Sequence, residues 1–283
     1  MKNFGIPGSG FEYQNLDVNQ DGAIEYFITE SFLNYFFDKG IYTIAPQLAT
    51  PNMSLEFINY GDTQLVYVLT TEKGHYTLLV GQPITRFQQV KEEFDNLFLL
   101  AEKNPEIVVK PICYYTNNIK EMYISPYIMQ SRCVASQESG LGIYIPEPYY
   151  RFELFCPQVQ YNINISIIAN LVRLYDEKTQ LGIADCRMGG GDFILEKDWS
   201  YSKQDLEAAL KYMKLIAARR MINLNFENYL NILRKEFKMN TYYKCIDDRD
   251  NSILVNQKSR KAMTDMEIEH GIQLGLKLKH KIL

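Results

Sequence analysis

Between residues 54 and 130 the hydrophobic period of the chain changes twice, and that order narrows the fold more than any other feature. "SLEFINY", "TQLVYVLTTE" and "HYTLLVG" are rich in β-branched and aromatic residues, which fit a pleated surface. Gly61-Asp62 and Glu72-Lys73-Gly74 separate them and suit hairpin turns, so the three read as an antiparallel meander. The period then becomes helical. Val90, Phe94, Leu97, Leu100 and Ala101 share one face, Glu92, Glu93 and Lys103 stand outside it, and Asn104-Pro105 ends the helix. Two further strands, "IVVKPICYYT" and "EMYISPYIMQ", follow around the turn Asn117-Asn118. Three strands, a helix and two strands predict an α+β unit with a mostly antiparallel sheet.

On either side of this unit the patterns are helical or irregular. Upstream, Ile28, Phe32, Tyr35 and Phe36 recur at helical spacing, with Gly40 as the stop signal. Residues 131–160 carry Gly140, Gly142, Pro146, Pro148 and Pro157 and read as a hinge or insertion. Beyond them Ile167, Ile168, Leu171, Leu174 and Tyr175 make one apolar helical face. Leu206, Ala209, Leu210, Met213, Ile216 and Ala217 make a second, and Phe226, Tyr229, Leu230, Leu233 and Phe237 a third. The division expected is an N-terminal extension with a helix (1–53), a sheet-based lobe (54–130), the hinge (131–160) and a helical lobe (161–283). A cleft between two lobes is the natural place for a ligand.

Bulk properties exclude several classes of function. A formal net charge of −4 supplies no large positive field, which argues against general nucleic-acid binding. The cationic end "LKLKHKIL", with Lys277, Lys279, His280 and Lys281, reads as a solvated last helical turn. Cys113, Cys133, Cys156, Cys186 and Cys245 are odd in number and at least twenty residues apart, so neither a disulfide framework nor a zinc site is expected. No apolar segment reaches the length of a membrane span and no leader pattern opens the chain, so a reduced, cytoplasmic protein with no membrane partner is expected. "DVNQDGAIEYFI" (residues 17–28) imitates a calcium loop through Asp17, Asn19, Asp21, Gly22 and Ile24. Ile28 stands where the bidentate glutamate belongs, and an Asx-rich turn is the expected structure.

The most pointed chemistry lies in "GIADCRMGGGDFILEKDW", residues 182–199. Asp185 and Asp192 flank Gly189, Gly190 and Gly191, with Arg187 between them. Three glycines can turn successive amides toward an anion or simply permit positive φ in a tight turn. The two aspartates are candidate catalytic groups or solvated loop acids. No lysine or clear helix start follows the glycines, so this is no P-loop.

Taken in order, these pieces resemble the protein-kinase-like fold, and within it the aminoglycoside and choline phosphotransferase family, over residues 54–240. "NYGDTQLVYVL" is similar to the family's turn over the nucleotide phosphates, with Gly61 as its glycine. "HYTLLVGQP" follows the third-strand frame, and Glu93, Leu97 and Leu100 fit the helix pattern Glu-x-x-x-Leu-x-x-Leu. The resemblance implies a two-lobed α+β fold, with a small antiparallel-sheet N-lobe and a mainly helical C-lobe. It also implies an ATP and Mg²⁺ site: Gly61 and Glu93 toward the nucleotide, Asp185 as the base, and Asp192 and Asp198 as metal ligands. Several positions depart from that pattern. Leu79 stands where the third-strand lysine belongs, and Lys91 faces elsewhere. Ile183-Ala184 replaces the His-Gly before the base, and Gly190 replaces the loop asparagine. Five residues between Asp192 and Asp198 are too few for a strand, turn and strand.

Three readings follow. The first is a kinase-like protein with a degenerate active site, a pseudokinase that binds a small molecule or protein and holds ATP and Mg²⁺ weakly or not at all. The second is an active, atypical small-molecule phosphotransferase using Asp185. The third is a non-kinase interaction protein using the tyrosine-rich stretch around residues 142–161, since 21 tyrosines give the chain many rings with a wettable hydroxyl.

Overall fold

The computed structural model describes residues 29–60, 64–81, 89–117, 120–127, 157–184, 193–195, 205–238, 241–245, 256–260 and 263–280. They belong to two compact units, Met1–Glu102 with Val109–Ile128, and Lys103–Val108 with Met129–Leu283. The fold class is α+β, as the sequence predicts. Among the described residues no helix is long and apolar enough to cross a membrane.

The first unit is built on a five-stranded sheet in the order β1-β2-β3-β5-β4. Its strands are β1 (Met53–Tyr60), β2 (Gln64–Thr71), β3 (Gly74–Gly81), β4 (Cys113–Thr116) and β5 (Glu121–Pro126). Every neighbouring pair is antiparallel. The meander β1-β2-β3 is the one read from the sequence, and helix α2 (Gln89–Lys103) follows β3 as expected.

One face of the sheet carries Leu55, Tyr67, Leu69, Leu78, Val80, Met122 and Ile124, buried with Phe32, Leu33, Phe36, Phe37 and Ile41 of helix α1 (residues 29–44). Residues 29–53, set apart as an extension by sequence, thus share the core of the sheet. The opposite face meets α2: the Phe94 ring lies 5.9 Å from Tyr114 and 6.2 Å from Tyr123, which pair across β4 and β5.

Two expectations are corrected here. Gly40 does not stop α1, which passes through a π-turn, Phe36–Gly40, into a last turn, Ile41–Ile44. A glycine ends a helix by going left-handed. Gly40 instead keeps helical angles (φ −66°, ψ −40°), and the Phe36 ring lies 2.9 Å from where its Cβ would be. The fourth strand is also shorter than "IVVKPICYYT". Pro111 lacks the N–H a ladder needs, and regular pairing begins only at Cys113.

The second unit centres on α3 (Pro157–Leu174), whose residues 162–172 are buried without a break. Its first turn, residues 157–160, falls within the stretch read as irregular; Pro157, counted there as a breaker, suits the first position of a helix. Helix α6 (Asp265–Lys279) crosses α3 closely. A Cβ on Gly271 would sit 2.7 Å from Ile168 Cβ, and one on Gly275 would sit 2.6 Å from Val172 Cβ and 2.8 Å from the Ala169 carbonyl oxygen. A capping box starts α6: the Thr264 hydroxyl accepts from the Glu267 N–H, and the Glu267 carboxylate accepts from the Thr264 N–H. Helix α5 (Phe226–Lys238) buries Tyr229, Leu233 and Phe237, and Arg234 grips Glu269 of α6 through two hydrogen bonds.

Lys279 is not the solvated charge expected of a last helical turn. Its ammonium donates to the Tyr175 carbonyl, lies 3.3 Å from Glu177, and stands over the rings of Tyr175 and Phe226.

Short two-stranded ladders complete the unit. Strand β6 (Leu181–Ala184) pairs with β9 (Arg220–Asn223), β7 (Phe193–Leu195) with β8 (Met213–Leu215), and β10 (Thr241–Cys245) with β11 (Asn256–Arg260). The helix expected over 206–217 is therefore cut short. Helix α4 (Leu206–Tyr212) stops where Met213 turns extended (φ −83°, ψ 123°). Met213, Leu215 and Ala217 are buried in alternation, so the same apolar residues that fit a helix also fit a strand. The backbone N–H of Leu215 donates to the Ile107 carbonyl, which draws β8 against residues 107 and 108.

Candidate functional site

Strand pairing in the first unit puts Gln64, Val66, Leu79, Tyr123 and Tyr114 on the face that meets α2, because residues opposite each other in a ladder share a face. Glu93 of α2 comes down on this face. It was expected outside the apolar stripe of its helix; instead it is 1% exposed. Its Oε2 accepts from Gln64 Nε2 at 2.6 Å and its Oε1 from the Tyr123 hydroxyl at 3.1 Å. These bonds explain how a charged residue is tolerated there: a buried carboxylate must be hydrogen-bonded.

Leu79 lies directly across from Tyr123, so the third-strand position of the resembled family carries an apolar side chain beside this network. Lys91 does face elsewhere, forming a 2.6 Å ion pair with Asp95. Its backbone N–H is held by Glu121 Oε2 at 3.1 Å, which fixes the first turn of α2 against β5.

A buried cation was missed by sequence reasoning. Lys120, just before β5, is 4% exposed and donates to the Gly81 carbonyl at 3.0 Å. Burial pulls its ammonium down to about 8. The local signal is slight, a lysine after the Asn117-Asn118 turn, and nothing in the spacing links it to residue 81.

In the second unit, Tyr229 of α5 packs against β6, the strand that precedes the acidic loop in sequence. Its buried hydroxyl lies within hydrogen-bond distance of the carbonyls of Leu171 (3.4 Å) and Ile183 (3.2 Å), tying α3 to β6. Its ring passes so near Gly182 that a Cβ there would meet it at 2.4 Å. Strand β6 ends at Ala184, the residue before Asp185. Asp185, Asp192, Asp198, Arg187, Gly61 and Gly189 to Gly191 lie outside the described residues, as do the loop 17–28 and the tyrosine-rich stretch up to residue 156.

What is described are the strands around them. The resemblance implies a strand, a turn and a strand after the acidic loop, for which the interval from Asp192 to Asp198 is too short; β7, which follows Asp192 in sequence, pairs antiparallel with the more distant β8. Their connection, residues 196–212, is long and contains α4; Asp198 belongs to it in sequence. Asp205, read as the start of a helix, caps α4 by accepting from the Ala208 N–H at 2.7 Å. Directly after β8 come Ile216, Ala217, Ala218 and Arg219. Among the described residues no group of three histidine, cysteine or carboxylate side chains is placed to hold a metal ion.

No family model and no curated protein matches this chain. Among solved structures, the autoinhibited serine kinase domain of the giant muscle protein titin is similar over 61% of this chain and 46% of that one, at 12% identity and a TM-score of 0.38. The match thus spans less than half of that domain's chain.

Proposed function

We propose that this chain is a kinase-like protein with a degenerate active site, a pseudokinase that acts by binding a small molecule or protein rather than by transferring phosphate. The kinase-like part rests on the sheet order β1-β2-β3-β5-β4 with one helix between β3 and β4, and on the buried glutamate of that helix. This is the arrangement implied by the resemblance to the aminoglycoside and choline phosphotransferases.

The observation that carries the loss of transfer is Leu79, which lies across from Tyr123 on the sheet face that meets Glu93. In the resembled family a lysine at this position holds the phosphates and pairs with the helix glutamate, and a leucine supplies no charge to them. Phosphoryl transfer depends on metal and phosphates held together, and the five residues between Asp192 and Asp198 are too few for the family's strand, turn and strand, so both halves of the arrangement are weakened.

The test is ATP turnover by the intact protein with Mg²⁺ or Mn²⁺ and a panel of small alcohols and amines. No turnover above the protein-free rate is expected. Turnover that disappears in Asp185→Ala would make the chain an active, atypical phosphotransferase.

A further inference from the structure

The two faces of β2 and β3 are covered unequally. On one, α1 closes over Tyr67, Leu69, Leu78 and Val80, which are all buried. On the face that meets α2, Val66, Val68, Thr77 and Leu79 are only half-buried. There Val66 lies across from Leu79, and Val68 lies across from Thr77, which in turn pairs with Ser125 of β5. Side chains paired in this way stand about 5 Å apart, so these five form one patch. Ser125 differs from the other four. It is 6% exposed, and its hydroxyl oxygen is buried with no hydrogen-bond partner among the described residues. A hydroxyl shut away without a partner is costly to keep, and the fold of the strands does not account for it.

Charge limits what can supply the partner. None of the five strands contains a lysine or arginine. Two carboxylates share the face: Glu56 lies across from Val68, and Glu93 bonds Tyr123, which is across from Leu79. A phosphate meets acids and no cation on these strands. An uncharged ring system, by contrast, covers the two valines and the leucine and brings one polar atom to Ser125, the usual make-up of a small-molecule site. We propose that this patch binds an uncharged, flat aromatic small molecule, held by its apolar side chains and by one hydrogen bond to Ser125. The proposal rests on the reading that the chain binds a ligand rather than transferring phosphate, and names the class of that ligand.

The experiment is fluorescence titration of the intact protein with two probes. N-phenylnaphthylamine is uncharged and carries one N–H; anilinonaphthalene sulfonate has the same ring body and a negative charge. Saturable binding of the uncharged probe is expected, about tenfold tighter than that of the sulfonate. Ser125→Ala should weaken it about fivefold, in keeping with one lost neutral hydrogen bond. Leu79→Lys should bind the uncharged probe more weakly and the sulfonate more tightly. The control Tyr35→Ser/Tyr42→Ser, which removes exposed rings of α1, should bind both probes as the parent does. The site is overturned by no saturable binding, by equal or tighter binding of the sulfonate, by unchanged binding in either patch variant, or by binding lost in the control. Each of these results leaves the proposed function standing so long as ATP turnover is absent. Turnover that disappears in Asp185→Ala overturns the function whichever probe binds.

Discussion

Glu93 shows how much of a residue's setting depends on distant chain. The sequence frames it correctly as the glutamate of the helix after β3, yet a helical wheel puts it outside because it is charged. Its burial depends on Gln64 and Tyr123, which no local pattern connects to it. Tyr123→Phe removes the hydroxyl that donates to the buried Glu93 carboxylate. A loss of about 1–3 kcal/mol is expected, measured as the shift in urea midpoint; a shift within error would mean that the hydroxyl contributes nothing to holding α2.

Lys120 offers a second test at this scale. Its pKa falls from 10.5 to about 8 on folding, so between those pH values the unfolded chain holds more protons and the residue's contribution to stability rises with pH. Below pH 8 its burial penalty is complete and constant. Cys113 runs the other way: burial lifts its thiol from 9.0 to about 11, so its contribution falls as pH rises through that range. Comparing the parent with Lys120→Met cancels the cysteine. The stability of the parent relative to the variant should increase from pH 8 to 10.5 in urea melts. A flat difference would show that Lys120 titrates as an exposed lysine.

Elements were legible where one period left no alternative. β-branched and aromatic runs bounded by turn residues gave β2 and β3 almost to the residue, and α2 followed from its apolar stripe and the Asn104-Pro105 stop. They were illegible where two periods fit the same residues, as at Met213, Leu215 and Ala217, or where packing overrides propensity. Helix α6 contains Gly271 and Gly275, each unfavourable in a helix by roughly 1 kcal/mol. They are retained because α3 comes too close for any side chain. Gly275→Ala gains helix propensity but drives a methyl into Val172 and the Ala169 carbonyl. Since backbone cannot yield as a side-chain tip can, a net loss of about 1–3 kcal/mol is expected, seen as a lowered melting temperature. A rise would mean that the two helices separate at little cost.

For the whole molecule, the sequence yielded the class and the order of elements but little of the site. The candidate acids sit in glycine-rich chain whose pattern constrains no geometry, whereas the strands around them are constrained by pairing. The pairing of β7 with β8 across a connection that holds a helix follows from no local pattern. This bears on repair by mutation. Leu79→Lys returns a cation to the third strand and leaves the short interval between Asp192 and Asp198 as it is, so no ATP turnover is expected from it. Turnover in this single variant would show that a metal ligand is supplied elsewhere. Calcium at ~1 mM should leave the melting temperature unchanged, because a weak site adds stabilisation only as the logarithm of ligand over Kd. A rise of several degrees would mean that Asp17, Asn19 and Asp21 form a true calcium loop.

The close crossing of α3 and α6 also sets a schedule for biosynthesis. Helix α3 ends at Leu174 and its partner begins at Asp265, about ninety residues later. At roughly 5–20 residues per second, a ribosome needs on the order of ten seconds to release the second helix after the first. Throughout that interval the Ile168 and Val172 side of α3 has no Gly271 or Gly275 to close over it. The nascent second unit is thus exposed to sticking and to chaperone capture until α6 emerges, while the sheet of the first unit, complete by residue 126, is already free to fold.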